Sequence, residues 1–102
     1  MMTERMHQFD NKVGPVLRAG ELATAIVDAM IEDNPGRDIE VIDKRVYLRV
    51  QTDTECVIHR KTVEKYVGRP FRLQEIETVL GSFAGQIETT HETMRFYFER
   101  KL

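Results

Sequence analysis

A chain of 102 residues, 41% of them apolar, has room for one domain with a modest core. Its 17 acids and 15 bases leave a formal charge of −2, which argues against a dominant electrostatic pull toward nucleic acid or anionic lipid. The single cysteine, Cys56, excludes an internal disulfide and a cysteine-rich zinc site, and no run nears the ~20 apolar residues of a membrane helix. The opening MMTERMHQFDNK lacks the apolar stretch of a secretory signal, so the chain reads as cytoplasmic.

Met1–Lys12 is polar and aperiodic and is expected to be a mobile tail, with residues 13–102 forming the single domain. Val13–Arg18 reads as a short strand, and Pro15, which has no N–H to donate, places it at a sheet edge or an irregular start. Gly20 can cap a helix over Glu21–Glu32, whose core stripe is Leu22, Ile26, Ala29 and Met30, widened by Val27 and Ile31. Asp33-Asn34-Pro35-Gly36 ends that helix, because the residue before proline avoids helical backbone and Pro-Gly favours a turn. Ile39 and Val41, then Val46, Leu48 and Val50, alternate as a hairpin joined by Asp43-Lys44-Arg45, with Tyr47 on the opposite parity. Gln51–Glu55 reads as a polar loop, Cys56–His59 as a strand, and Arg60–Val67 as a helix with Val63, Tyr66 and Val67 inward, closed by Gly68 and Pro70.

The richest stretch is Leu73–Phe98. Ile76, Val79, Leu80 and Phe83 recur with helical spacing, while Ile76, Thr78 and Leu80 alternate as in a strand. The helical reading over Leu73–Val79 leads, with Gly81 as its terminus or as a bulge. Gly81, Ser82, Ala84 and Gly85 leave a backbone so bare that another surface can approach closely; the same glycines would also serve a tight bend. Phe83, Gly85 and Ile87 share one parity and should face one core. Gln86–Thr89 and Met94–Phe98 form a hairpin turning at Thr90–Glu92, since Met94, Phe96 and Phe98 alternate with Arg95, Tyr97 and Glu99. The order strand, helix, hairpin occurs twice, without a convincing sequence repeat. It predicts an α+β fold of two β-α-β-β-like units with mainly antiparallel sheet.

Catalytic patterns are sparse. Glu88-Thr89-Thr90-His91 spells the Glu-x-x-His of a di-iron ligand pair, but such a site needs two pairs and two further glutamates on long helices. The three histidines, His7, His59 and His91, show no ligand spacing, and no glycine-rich phosphate loop occurs. Ser82, the only serine, has no nucleophile-elbow context, and Cys56 sits beside Val57 and Ile58 as a packed thiol. The chain therefore reads as having no catalytic, cofactor-binding or metal-binding residues of its own. Arg60, Lys61, Lys65, Arg69 and Arg72, with Tyr66 among them, form a basic face over residues 60–72. It is either a solvated helix face or a contact for an acidic protein or RNA; the alternative function is thus a small nucleic-acid-binding module.

Four strings, NKVGPVLRAGEL, EDNPGRDIEV, HRKTVEKYVGRPF and SFAGQI before a hairpin ending RFYF, occur in this order from Asn11 onward. Together they resemble the effector proteins, also called coupling or regulatory components, of soluble bacterial di-iron monooxygenases, closest to the toluene monooxygenase effectors. The resemblance implies an α+β fold and a cofactor-free protein, monomeric when free, that docks on the large (α) subunit of a di-iron hydroxylase. That hydroxylase is fed by a reductase and a Rieske ferredoxin and acts on aromatic hydrocarbons. Docking would tune its active site and couple electron delivery and O2 activation to hydroxylation. By this resemblance the partner-binding residues are Val79, Gly81, Ser82, Phe83, Ala84 and Gly85, with Asn34, Pro35, Gly36 and the exposed side of Glu21–Glu32 secondary. Val79 stands where related effectors often carry asparagine, and Gly81 where serine or alanine is common.

Overall fold

The structure, a computed structural model, describes residues 11–99. Of the predicted tail, residues 1–10 lie outside the described residues, whereas Lys12 already belongs to the first strand. The elements are β1 (Lys12–Arg18), α1 (Glu21–Asp33), β2 (Glu40–Asp43), β3 (Tyr47–Asp53), β4 (Glu55–His59), α2 (Arg60–Val67), a 3-10 helix (Leu73–Thr78), β5 (Leu80–Ala84), β6 (Gln86–Thr89) and β7 (Thr93–Tyr97). The α+β expectation holds, and every strand pairing is antiparallel. Residues 73–78 are indeed helical, though wound as 3-10.

Two sheets make the body, with strand orders β2-β3-β1-β5 and β4-β7-β6. The chain thus departs from two self-contained units: β5, born in the second half, crosses to pair with β1 of the first. β1 is consequently central, so of the two readings Pro15 offered, edge or irregular start, the second holds. The ladder to β3 runs through Val13↔Thr52 and Val16↔Arg49 and skips Gly14 and Pro15, so the missing donor falls where no β3 pairing is made. At Gly14 the two backbones come so close that a side chain would collide with the carbonyl oxygen of Val50.

Between the sheets and the helices lies one apolar core that includes Val13, Leu17, Ile26, Met30, Val50, Ile58, Met94 and Phe96. Cys56 and Ile87 both sit opposite Phe96 in the second sheet, and Ile58 opposite Met94. Burying side chains of this size stabilises the fold by roughly 1.5–3 kcal/mol each. α1 and α2 pack together, and Glu32-Asp33-Asn34 fastens them. Lys65 Nζ and Tyr66 Oη donate to Glu32 Oε1, each at 2.7 Å. The Asp33 carboxylate takes the His59 N–H and the Thr62 hydroxyl, satisfying donors at the start of α2. Buried Asn34 donates to the carbonyls of Met30 and Val57 and accepts the Val57 N–H at 2.9 Å.

Several side-chain expectations are corrected. Gln51–Glu55 is not a loop: β3 runs to Asp53, β4 begins at Glu55, and Thr54 alone turns between them at φ 64°. Thr52 continues the inward parity of Val50 and is only 2% exposed, so a polar composition hid a strand. Ile31 (52% exposed) lies outside the α1 stripe, and Tyr66 (43%) reaches across to Glu32 rather than inward. Val46 is 71% exposed because it falls in the β2–β3 turn, after Arg45 at φ 75°, and Val41 is exposed on edge strand β2. Phe83, Gly85 and Ile87 do not share one sheet face. Gly85, at φ 90°, redirects the chain from the first sheet to the second. Phe83 therefore meets Phe96 at 5.9 Å between ring centroids yet stays 42% exposed, while Ile87 is half-buried opposite Phe96.

Candidate functional site

Alternation along β1 and β3 sends Val13, Leu17, Val50 and Thr52 inward and turns Val16, Arg18, Tyr47 and Arg49 to the other face. The register places Arg18 opposite Tyr47 and Val16 opposite Arg49, and on the far side of β1 it places Ser82 opposite Val16. These residues, with Val46, Val79 and Gly81, line an open concavity of about 580 Å³. Two backbone links close its end: Arg18 N–H donates to Val79 O at 2.8 Å, and Ala19 N–H to Val46 O at 3.0 Å.

The concavity unites the predicted contacts Val79, Gly81 and Ser82. Gly81 is open, since a Cβ there would meet nothing nearer than Val16 O at 3.7 Å. Phe83 and Ala84 continue the same strand but do not line the concavity; Phe83 points to Phe96. Gly85 has a role in the fold: a Cβ would lie 2.6 Å from Val13 Cγ1 and 2.8 Å from Tyr97 O. Asn34, Pro35 and Gly36 are not brought to this face. They follow the far end of α1, which at 1.5 Å per residue is about 20 Å long, and the Asn34 side chain is spent inside the chain. The exposed side of α1 borders a separate concavity of about 630 Å³, where Glu21 and Asp28 face Tyr66 and Arg69.

Sequence reading missed Val16, Arg18, Val46, Tyr47 and Arg49. The opposite parity of Tyr47 was its one visible signal; the rest depends on β1, β3 and β5 lying side by side.

The profile of the MmoB/DmpM family matches residues 11–97. The chain belongs to the MmoB/DmpM family. It is 43% identical over 90 residues to the effector subunit of an alkene monooxygenase system from Xanthobacter autotrophicus (strain ATCC BAA-1158 / Py2), covering 88% of this chain and 89% of that protein. Among solved structures, it superimposes on a chain of a phenol hydroxylase–regulatory protein complex with TM-score 0.77 and 26% identity, covering 86% of this chain and 99% of that one. Regulatory protein B of soluble methane monooxygenase shares the fold, with TM-score 0.67, at 16% identity over 88% of this chain and 67% of that one.

This MmoB/DmpM chain spends most of its basic helix internally. Arg60 pairs with Glu64 and Glu92, Lys65 with Glu32 at 2.7 Å, and Arg69 with Glu75 at 3.0 Å. The hydrogen bonds from Lys65 and Tyr66 hold the Glu32 carboxyl below its ordinary value, and Arg69 does the same to Glu75. Little charge on residues 60–72 is left for phosphates. Glu88 is occupied by Arg95 at 2.9 Å, and His91 lies in the β6–β7 turn, so the Glu-x-x-His string forms no shared pocket. Among the described residues no group of three or more His, Cys, Asp or Glu could hold a metal ion. Cys56 is buried, and desolvation pushes its thiol up to about 12. No helix among the described residues is long and apolar enough to cross a membrane.

Proposed function

We propose that this protein is the cofactor-free effector of a multicomponent di-iron monooxygenase, acting by docking on the large subunit of the hydroxylase. The observation that carries the reading is the 43% identity, along nearly all of both chains, to a protein named an effector subunit. Likeness to a chain of a hydroxylase–regulatory protein complex supports the same partner. The open concavity beside Val79, Gly81 and Ser82 is the surface on which the hydroxylase rests. A working contact buries on the order of 1,600 Å² in total.

The mechanism is allostery by a protein ligand. The effector binds one hydroxylase conformation more tightly than another, shifts that equilibrium, and so couples electron delivery and O2 activation to hydroxylation. Reciprocity requires that reduction of the hydroxylase iron change its affinity for the effector. The electrons arrive through a reductase and a Rieske ferredoxin, and the free effector is a cytoplasmic monomer.

The partner's substrate is a small hydrocarbon. Resemblance to the toluene effectors favours an aromatic one, and the alkene monooxygenase relative supports a second reading in which it is an alkene. The test is reconstitution with the purified hydroxylase, reductase and ferredoxin, reading product formed per NADH consumed with toluene and with propene. The chain should raise coupling several-fold, and Gly81→Trp should abolish the gain while leaving the melting curve unchanged. Turnover equally coupled with and without the chain refutes the effector role.

A further inference from the structure

Resting on that reading, we infer that the concavity takes an apolar side chain of the hydroxylase flanked by carboxylates, held by Arg18 and Arg49. Apart from the arginines and Ser82, its lining is apolar or bare: Val16, Val79 and Gly81, with the exposed Val46 and Tyr47. Arg18 and Arg49 lie on the same sheet face of the neighbouring strands β1 and β3, in cross-strand pairs separated by Leu17↔Leu48. Among the described residues neither has a salt bridge or a side-chain hydrogen bond. The contrast with Arg60, Arg69 and Arg95 is sharp, since each of those is paired to at least one glutamate.

Among the described residues no carboxylate lines the concavity, although the chain as a whole carries a charge of −2. A positive apolar hollow on an acidic body sets a specific demand. It attracts an acidic segment, repels other basic surfaces and gains apolar burial once the segment is seated. Two arginines are too few to anchor nucleic acid, where affinity grows with each phosphate neutralised. Carboxylates suit the planar forks of Arg18 and Arg49, which can each hold one with two parallel N–H bonds. The matching segment is therefore a hydroxylase helix with aspartate or glutamate one turn either side of an apolar residue.

The experiment measures binding of the purified hydroxylase to the wild-type chain, R18A/R49A and R49E across a salt series, with sedimentation of the chain alone. Both arginines are solvent-facing and unpaired among the described residues, so the variants should melt like wild type. The double alanine variant should bind the hydroxylase at least about tenfold more weakly with a flattened salt dependence, and R49E more weakly still. Hydroxylase binding that is unchanged in both variants overturns this inference and leaves the effector role standing. Failure of the wild-type chain to bind removes the effector role and this inference together. A dimer of the chain alone that dissociates on R49E assigns the hollow to a second copy and overturns it as well.

Discussion

Gly81 and Gly85 lie four positions apart on one bare stretch, yet alanine should have opposite consequences at the two. At Gly85 the backbone sits at φ 90°, where a residue with a Cβ pays about 1–2 kcal/mol. The new methyl would also lie 2.6 Å from Val13 Cγ1 and 2.8 Å from Tyr97 O, and Val13 belongs to the core. Overpacking of that kind costs typically about 1–3 kcal/mol. Gly85→Ala should therefore lose about 2–5 kcal/mol, a large share of what so small a domain has. At Gly81 the nearest atom to the added methyl is Val16 O at 3.7 Å, an ordinary contact, and φ is not in the left-handed region. Replacing a strand glycine there should leave stability unchanged or raise it by up to about 1 kcal/mol. Urea denaturation followed by circular dichroism measures both. Equal stability of the two variants, or a Gly85→Ala chain as stable as wild type, refutes the assignment of Gly85 to the fold and of Gly81 to the docking surface.

Asn34→Ala should cost about 2–5 kcal/mol, because it strips partners from Val57 N–H and from the carbonyls of Met30 and Val57; a urea midpoint equal to wild type contradicts this. Cys56, with its thiol raised to about 12 by burial, should resist iodoacetamide at pH 8.5 until the chain is unfolded, and alkylation at the rate of an exposed thiol contradicts that. Glu32 is held below its ordinary 4.5, chiefly by the Lys65 hydrogen bond, so its contribution is complete above that pH and is lost as pH falls through the lower folded value. Lys65 and Tyr66 are raised from 10.5 and 10.0 by the same carboxylate, so their share fades as pH rises beyond those values. The stability gap between wild type and Glu32→Gln should accordingly be widest near neutrality and close at both ends. A gap that stays constant down to pH 3 speaks against it.

The parts legible in the sequence were those governed by local pattern. β7 is the middle strand of its sheet with one face in the core, so Met94 and Phe96 alternate with Arg95 and Tyr97, although Phe98, expected to continue the series, lies past the strand and is exposed. α2 ends where Gly68 and Pro70 forbid continuation, and its bounds match. Illegible were the features set by distant partners. Pro15 signalled an edge or an irregular start, and only the partners decide between them: Gly14 lets β3 approach and β5 arrives from more than sixty residues away to cover the other side. The concavity was half visible. Gly81 and Ser82 announce themselves by lack of bulk, whereas Arg18 and Arg49 look like any surface arginines until β1 and β3 are laid together. Phe83 and Ile87 share a parity that brings both beside Phe96, but from different sheets, because Gly85 redirects the chain between them.

The strand order β2-β3-β1-β5 also governs how the protein emerges from the ribosome. β1 and β3 are both made before β5, so the other flank of β1 has no partner until Leu80–Ala84 has been made. Until then a nascent chain carries an apolar strand with a free row of amides and carbonyls, the kind of edge that invites pairing with a neighbour. Chains cut short before Leu80 would keep that edge permanently and should aggregate rather than accumulate as half-domains.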